Sequence, residues 1–140
     1  NRVRRSLLRL EATDTWVYST AAWQQANAST ANQVDIVVGV AEEAVELSLT
    51  GVESDSGAST PLVAIGEDGV AGPATGCLFG PVRTTAGAAS TVTAALSKVP
   101  AVGRHYYTWL EYVTTAGTTT WQGDNGGTTV QTGLRGTWIN

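Results

Sequence analysis

The chain has 140 residues, room for one domain with a real core. Only 14% of residues are charged, against an average of about 25%, while Gly, Ala, Thr and Val dominate, which suits an all-β chain rather than a helical one. The formal net charge is −4 and the cations do not cluster outside the N-terminus, which argues against nucleic acid as the main partner.

The charge is unevenly placed. Arg2, Arg4, Arg5 and Arg9 lie in the first ten residues, with no acid among them. From residue 10 onward, Arg83, Lys98, Arg104 and Arg135 face twelve acidic residues. A basic tip therefore precedes an acidic body. Such a tip suits phosphate and, equally, an acidic protein surface. Within "NRVRRSLLRL", Val3, Leu7 and Leu10 fall on one helical face. So short a helix is marginal alone. Residues 1–12 are therefore expected to form a basic anchoring arm, helical or extended, that docks on a neighbour. Its binding residues would be Arg2, Arg4, Arg5, Leu7, Leu8 and Arg9. Deleting residues 1–10 should then leave a folded body.

After Glu11 the period changes. "TDTWVYST" alternates, with Trp16 and Tyr18 on one face. "QVDIVVGV" (33–40) is a β-branched run. "AVELSLTGVES" (44–54) alternates most cleanly: Val45, Leu47, Leu49 and Gly51 point one way, and Glu46, Ser48, Thr50 and Val52 the other. "DSGAST" is a turn cluster, and "PLVAIGEDG" (61–69) a short strand ending in a turn. "CLFGPV" carries Pro81, which places it at an edge or strand end. In "STVTAALSKV" (90–99), the β-branched residues favour strand over helix. "TTAG" (114–117) reads as a hairpin-type connection and "DNGG" (124–127) as the strongest turn signal. "TTVQT" and "RGTWIN" are read as the last strands. Eight or nine short strands with no strict repeat read as a sandwich or barrel, here residues 13–140.

"GRHYYTWLEYV" (103–113) holds three of four tyrosines, one of five tryptophans and the only histidine. Large apolar groups fall on both of its faces, so it is expected to be a central strand covered twice. One cover is the core. The other would be a loop, the arm or another subunit. Tyr107, Trp109, Trp121 and Trp23 are therefore candidates for a subunit interface, or alternatively for a glycan platform of stacking rings.

Signals for catalysis are weak. One histidine and one cysteine cannot supply a zinc-type site, so no metal or cofactor is expected. His105 has no nucleophile motif to serve and reads as a hydrogen-bonded strand histidine. Cys77 reads as a small buried hydrophobe. Glu42–Glu43 and Glu67–Asp68 are adjacent in turns, not spaced across a cleft, and read as solvated charges. "NAS" (27–29) is a sequon that matters only in a secretory setting. No apolar run reaches a membrane-spanning length, and no signal peptide is evident. With no Met and Asn first, the chain is expected to be a fragment or a processed product.

The word order "W-x-Q-A-N-A-S-T-A-N-Q-V-D-I-V-V-G" (23–39), "A-I-G-E-D-G" (64–69), "G-R-H-Y-Y-T-W-L-E-Y" (103–112), "A-G-T-T-T-W-Q-G-D-N-G-G" (116–127) and a final Gly-x-x-Gly strand (133–136) resembles small tailed-bacteriophage virion proteins. These are β-sandwich domains of head fibres, capsid-decorating proteins and tail-fibre tips. The resemblance spans residues 13–140 and carries no catalytic signature. It implies a non-enzymatic, jelly-roll-like antiparallel β-sandwich on the virion exterior, commonly a homotrimer. The partners implied are other copies and the major capsid or another virion protein, without nucleic acid or membrane insertion. The short chain with its own anchor and no heptad stalk favours capsid decoration or a head fibre. The alternatives are a tail-fibre tip that binds host-surface glycan, or a carbohydrate-binding module of a phage-borne or secreted enzyme.

Overall fold

The computed structural model describes residues 2–82, 85–114 and 117–140. It is all-β apart from two single 3-10 turns. Eleven strands build it. They are β1 (Arg4–Leu10), β2 (Thr15–Val17), β3 (Gln24–Gln25), β4 (Gln33–Val38), β5 (Val45–Asp55), β6 (Thr60–Glu67), β7 (Leu78–Phe79), β8 (Ala89–Lys98), β9 (Gly103–Thr114), β10 (Thr119–Gln122) and β11 (Gly133–Ile139). All pairings are antiparallel, and the strands divide into a sheet of seven and a sheet of four packed as a sandwich.

Several strands are halves of one interrupted strand. β10 and β11 run along the same edge of β5, opposite 55–52 and 50–46 respectively. β1 and β2 line the far side of that pair, and β3 and β4 share one edge of β9. The larger sheet thus reads β1/β2, β11/β10, β5, β8, β7, and the smaller β3/β4, β9, β6. The chain changes sheet at nearly every connection, and its first strand pairs with its last. This is a jelly-roll wrap, an arrangement that limits free sheet edges.

The alternation read in 44–54 is real: Val45, Leu47, Leu49 and Gly51 are buried and Glu46, Ser48 and Thr50 exposed. β9 is the two-sided strand that its sequence predicts. Tyr107, Trp109 and Val113 enter the core between the sheets, while Thr108 and Leu110 are buried on the opposite face. That second cover is a loop of the same chain. Thr108 Oγ1 donates to the Gly69 carbonyl at 2.8 Å, and Leu110 Cδ1 lies against Gly66.

Two expectations are corrected and one is narrowed. First, residues 128–132, read as a strand, are not one; the last strand begins at Gly133. The N-terminal segment, expected helical or extended, is extended and pairs within its own chain. Residues 4–10 form β1, in register with β11 from Arg4 opposite Ile139 to Leu10 opposite Gly133. Alternation wins over the helical spacing because Leu7 turns inward and packs on the core. Gly133 and Gly136 permit the fit. A Cβ at Gly133 would lie 2.6 Å from the Arg9 carbonyl oxygen, and one at Gly136 would overlap that of Glu46. Removing residues 1–10 would therefore strip one of the two strand partners of β11 and leave β5. Second, "TTAG" does not join paired strands. β9 and β10 belong to different sheets; Thr115 and Ala116 lie outside the described residues.

Candidate functional site

Antiparallel pairing fixes what the edge strand presents. Val3 and Asn140 exchange both backbone hydrogen bonds, at 2.9 and 3.0 Å, and Glu11 N–H donates to Thr132 at 3.3 Å. Pairs alternate between bonded and non-bonded along such a ladder. Residues 5, 7 and 9 therefore turn their N–H and C=O groups to β11. Arg4, Ser6, Leu8 and Leu10 turn theirs away, and β1 pairs with no second strand among the described residues.

Their side chains lie on the outer face of the larger sheet. Register carries a straight row across five strands: Leu8, Arg135, Ser48, Ala95, Leu78. The next row is Leu10, Gly133, Thr50 and Thr93. Small residues make the floor and leucines stand at both ends, with Leu8 62% and Leu78 73% exposed. The result is a shallow trough of three adjoining depressions, about 550, 310 and 520 Å³, and Arg135 lines all three.

Charge pairing is equally uneven. Arg2 bridges Glu42 and Glu43, Lys98 meets Glu67, Arg104 meets Asp35, and His105 meets Asp68. Among the described residues, Arg4, Arg5, Arg9 and Arg135 have no carboxylate partner. All four sit on β1 and β11. Arg9 donates instead to the neutral Asn32 side chain at 2.9 Å. Among the described residues, the uncompensated cations of this acidic protein thus lie on one two-stranded ribbon.

The expected binding residues separate on this frame. Arg4, Arg5 and Leu8 are exposed on β1. Leu7 is half-buried in the core, Arg9 is tied to Asn32, and Arg2 is neutralised. The aromatic set is corrected outright. Tyr107, Trp109 and Trp121 are 0% exposed inside one chain, so they form neither a subunit interface nor a glycan platform. Core burial claims them because each points between the two sheets. Trp23 alone is half-exposed. Its ring meets Phe79 edge-on (5.6 Å, 89°) and is tilted 45° to Tyr112.

The buried polar groups were not foreseen. Glu111, fully buried, accepts from Trp16 Nε1 (2.8 Å), Gln24 Nε2 (2.7 Å) and the Asn27 amide (3.1 Å), yet burial still pushes its pKa to about 7. Nearby Glu11 goes the other way: burial opposes ionisation, but Asn32 and Thr13 donate to it and hold it low. Glu53 is 0% exposed and neither carboxyl oxygen has a partner; burial, then Asp55, raises its pKa to about 7. One signal was present. Glu53 continues the inward alternation of Val45, Leu47, Leu49 and Gly51 by one step.

The remaining candidates are structural. His105 bonds Asp68 at 2.7 Å and the Ala101 carbonyl at 3.0 Å. Cys77 is half-buried, its Sγ receives the Ile65 amide at 3.4 Å, and burial raises its pKa, which suppresses thiolate reactivity. The turn acids are paired with cations rather than merely solvated. No group of three or more metal-ligating side chains occurs among the described residues. "DNGG" is the turn expected, with Asn125, Gly126 and Gly127 at positive φ. Compared with family models, curated proteins and solved structures, the chain matches none.

Proposed function

We propose that this chain is a non-enzymatic structural protein of a tailed-phage virion. It is displayed on the particle exterior as a capsid-decorating or head-fibre domain, and the β1–β11 ribbon is its attachment surface. The virion setting follows from the resemblance in word order. The observation that supports attachment is the concentration of Arg4, Arg5, Arg9 and Arg135, none in an ion pair among the described residues, on one ribbon with exposed Leu8 and Leu10. Cationic and apolar groups left together on an acidic protein suit a protein partner. The carbohydrate reading is disfavoured because stacking needs exposed coplanar rings, and three of the four candidates are core residues.

The test is assembly. The chain should be found by mass spectrometry in purified particles. Arg4→Glu with Arg135→Glu should keep the wild-type circular dichroism and melting temperature yet lose most incorporation. A folded double variant that incorporates normally would refute attachment through this ribbon. The homotrimer is checked by light scattering after size exclusion, with three copies expected.

A further inference from the structure

We infer that the free edge of β1 is a strand-addition site for an acidic, extended polypeptide segment. This inference rests on the attachment role proposed above and names the chemistry of its partner. Arg4, Ser6, Leu8 and Leu10 offer their backbone N–H and C=O groups to solvent along one line. Only another polypeptide backbone satisfies such a line in register. β1 is held taut for it. Arg2 is tied to Glu42 and Glu43 at one end, and Arg9 to Asn32 at the other. Between these clamps, Arg4, Arg5 and Ser6 are exposed.

Charge selects the partner. Two β1 strands pairing with each other would bring arginines together without compensation, which disfavours a second copy at this edge. The other free edge on this side, β4, presents Asp35, but Arg104 already pairs with it at 3.2 Å. An incoming strand with carboxylates beside Arg4 and Arg5, which lie on opposite faces of β1, and apolar groups beside Leu8 and Leu10 complements both features, with Arg135 one strand behind on the outer face. A polyphosphate would match the arginines, but it would leave the leucines bare and the edge amides unregistered.

The experiment uses the whole chain and a capped peptide of about eight residues, glutamates in the half that lies beside Arg4 and Arg5 and valines in the half beside Leu8 and Leu10, followed by fluorescence anisotropy and amide hydrogen exchange. Saturable binding that weakens with salt is expected, with newly slowed exchange at Ser6, Leu8 and Leu10. Ser6→Pro removes one edge N–H without touching the ladder to β11, and should weaken binding at least about fivefold. Arg4→Glu with Arg135→Glu should weaken it at least about tenfold. No peptide binding, or binding indifferent to Ser6→Pro, overturns the inference and leaves the arginines as a guard against edge aggregation. Equal or tighter binding of oligothymidylate also overturns it, in favour of a phosphate site. Absence of peptide binding in a chain that still enters particles refutes the edge site alone. Peptide binding by a chain missing from particles refutes the virion reading alone.

Discussion

Glu53 is the residue whose chemistry fits its position least. It occupies an inward place on β5, opposite Trp121 on β10, and no donor reaches its carboxyl oxygens. Such a group stays neutral by keeping its proton. Its folded pKa of about 7 exceeds the ordinary 4.5, so the folded state holds the proton longer than the unfolded chain. Stability from this group is therefore present below pH 4.5 and lost as pH rises to about 7. Full ionisation costs on the order of 3 kcal/mol. Glu53→Gln should flatten the fall in urea stability between pH 5 and pH 8; an unchanged slope would show that Glu53 ionises without penalty. His105 makes a complementary case. Both of its partners, a carboxylate and a carbonyl oxygen, are acceptors, so both ring nitrogens donate only in the imidazolium form. The hydrogen bond to Asp68 accordingly raises its pKa above 6.5. Asp68→Asn should bring the His105 titration, followed by NMR, back toward that ordinary value.

At the scale of elements, β11 shows how a strand's sequence serves its neighbours. Gly136 stands opposite Leu7 on one side and Leu47 on the other, and a side chain there would strike the β5 backbone. Gly136→Ala should cost about 3 kcal/mol or more in urea unfolding, because only backbone movement relieves the overlap. A cost below about 1 kcal/mol would mean that β11 shifts freely between β1 and β5. Elements with strong local pattern were legible in sequence. β5 alternates over its whole length, and β9 carries apolar groups on both faces. β1 was only half legible, because Val3, Leu7 and Leu10 fit one face of a helix and so left helical and extended forms both open. What decides for strand is the ladder offered by β11, more than a hundred residues away. The same distance hides the interrupted strands. The breaks at 11–14 and 123–132 carry no sign of continuity, and residues 128–132 even read as a strand of their own, until β5 and β11 bring the halves into line. The basic residues of the candidate edge were legible as a cluster. That Arg135 joins them across a strand pair was not.

At the scale of the whole molecule, the titrating groups act in two opposed sets. Glu53, Glu111 and His105 all have raised pKa values in the fold. Each binds its proton more tightly folded than unfolded, so each withdraws stability as pH rises, the two glutamates between pH 4.5 and about 7 and the histidine above 6.5. Glu11, Asp55 and Asp68 have lowered values, because hydrogen bonds to their carboxylates outweigh burial. Asp55, for instance, accepts from Ser59, Thr119 and the Gly57 amide. Their stability is present above the ordinary carboxylate pKa and lost as pH falls through the folded values. The two limbs leave a maximum on the acid side of neutrality, near pH 5. Melting curves should therefore give a Tm at pH 8.5 at least roughly 5 °C below that at pH 5. A further fall is expected below about pH 3.5 as the second set protonates. A flat profile from pH 5 to pH 8.5 would mean that neither glutamate is held neutral, and that the core relaxes to hydrate them. The predicted profile also bears on attachment. A guanidinium group stays charged at any pH in this range. Loss of peptide binding at alkaline pH would thus report loosening of the sandwich that holds β1 in place, not discharge of the edge itself.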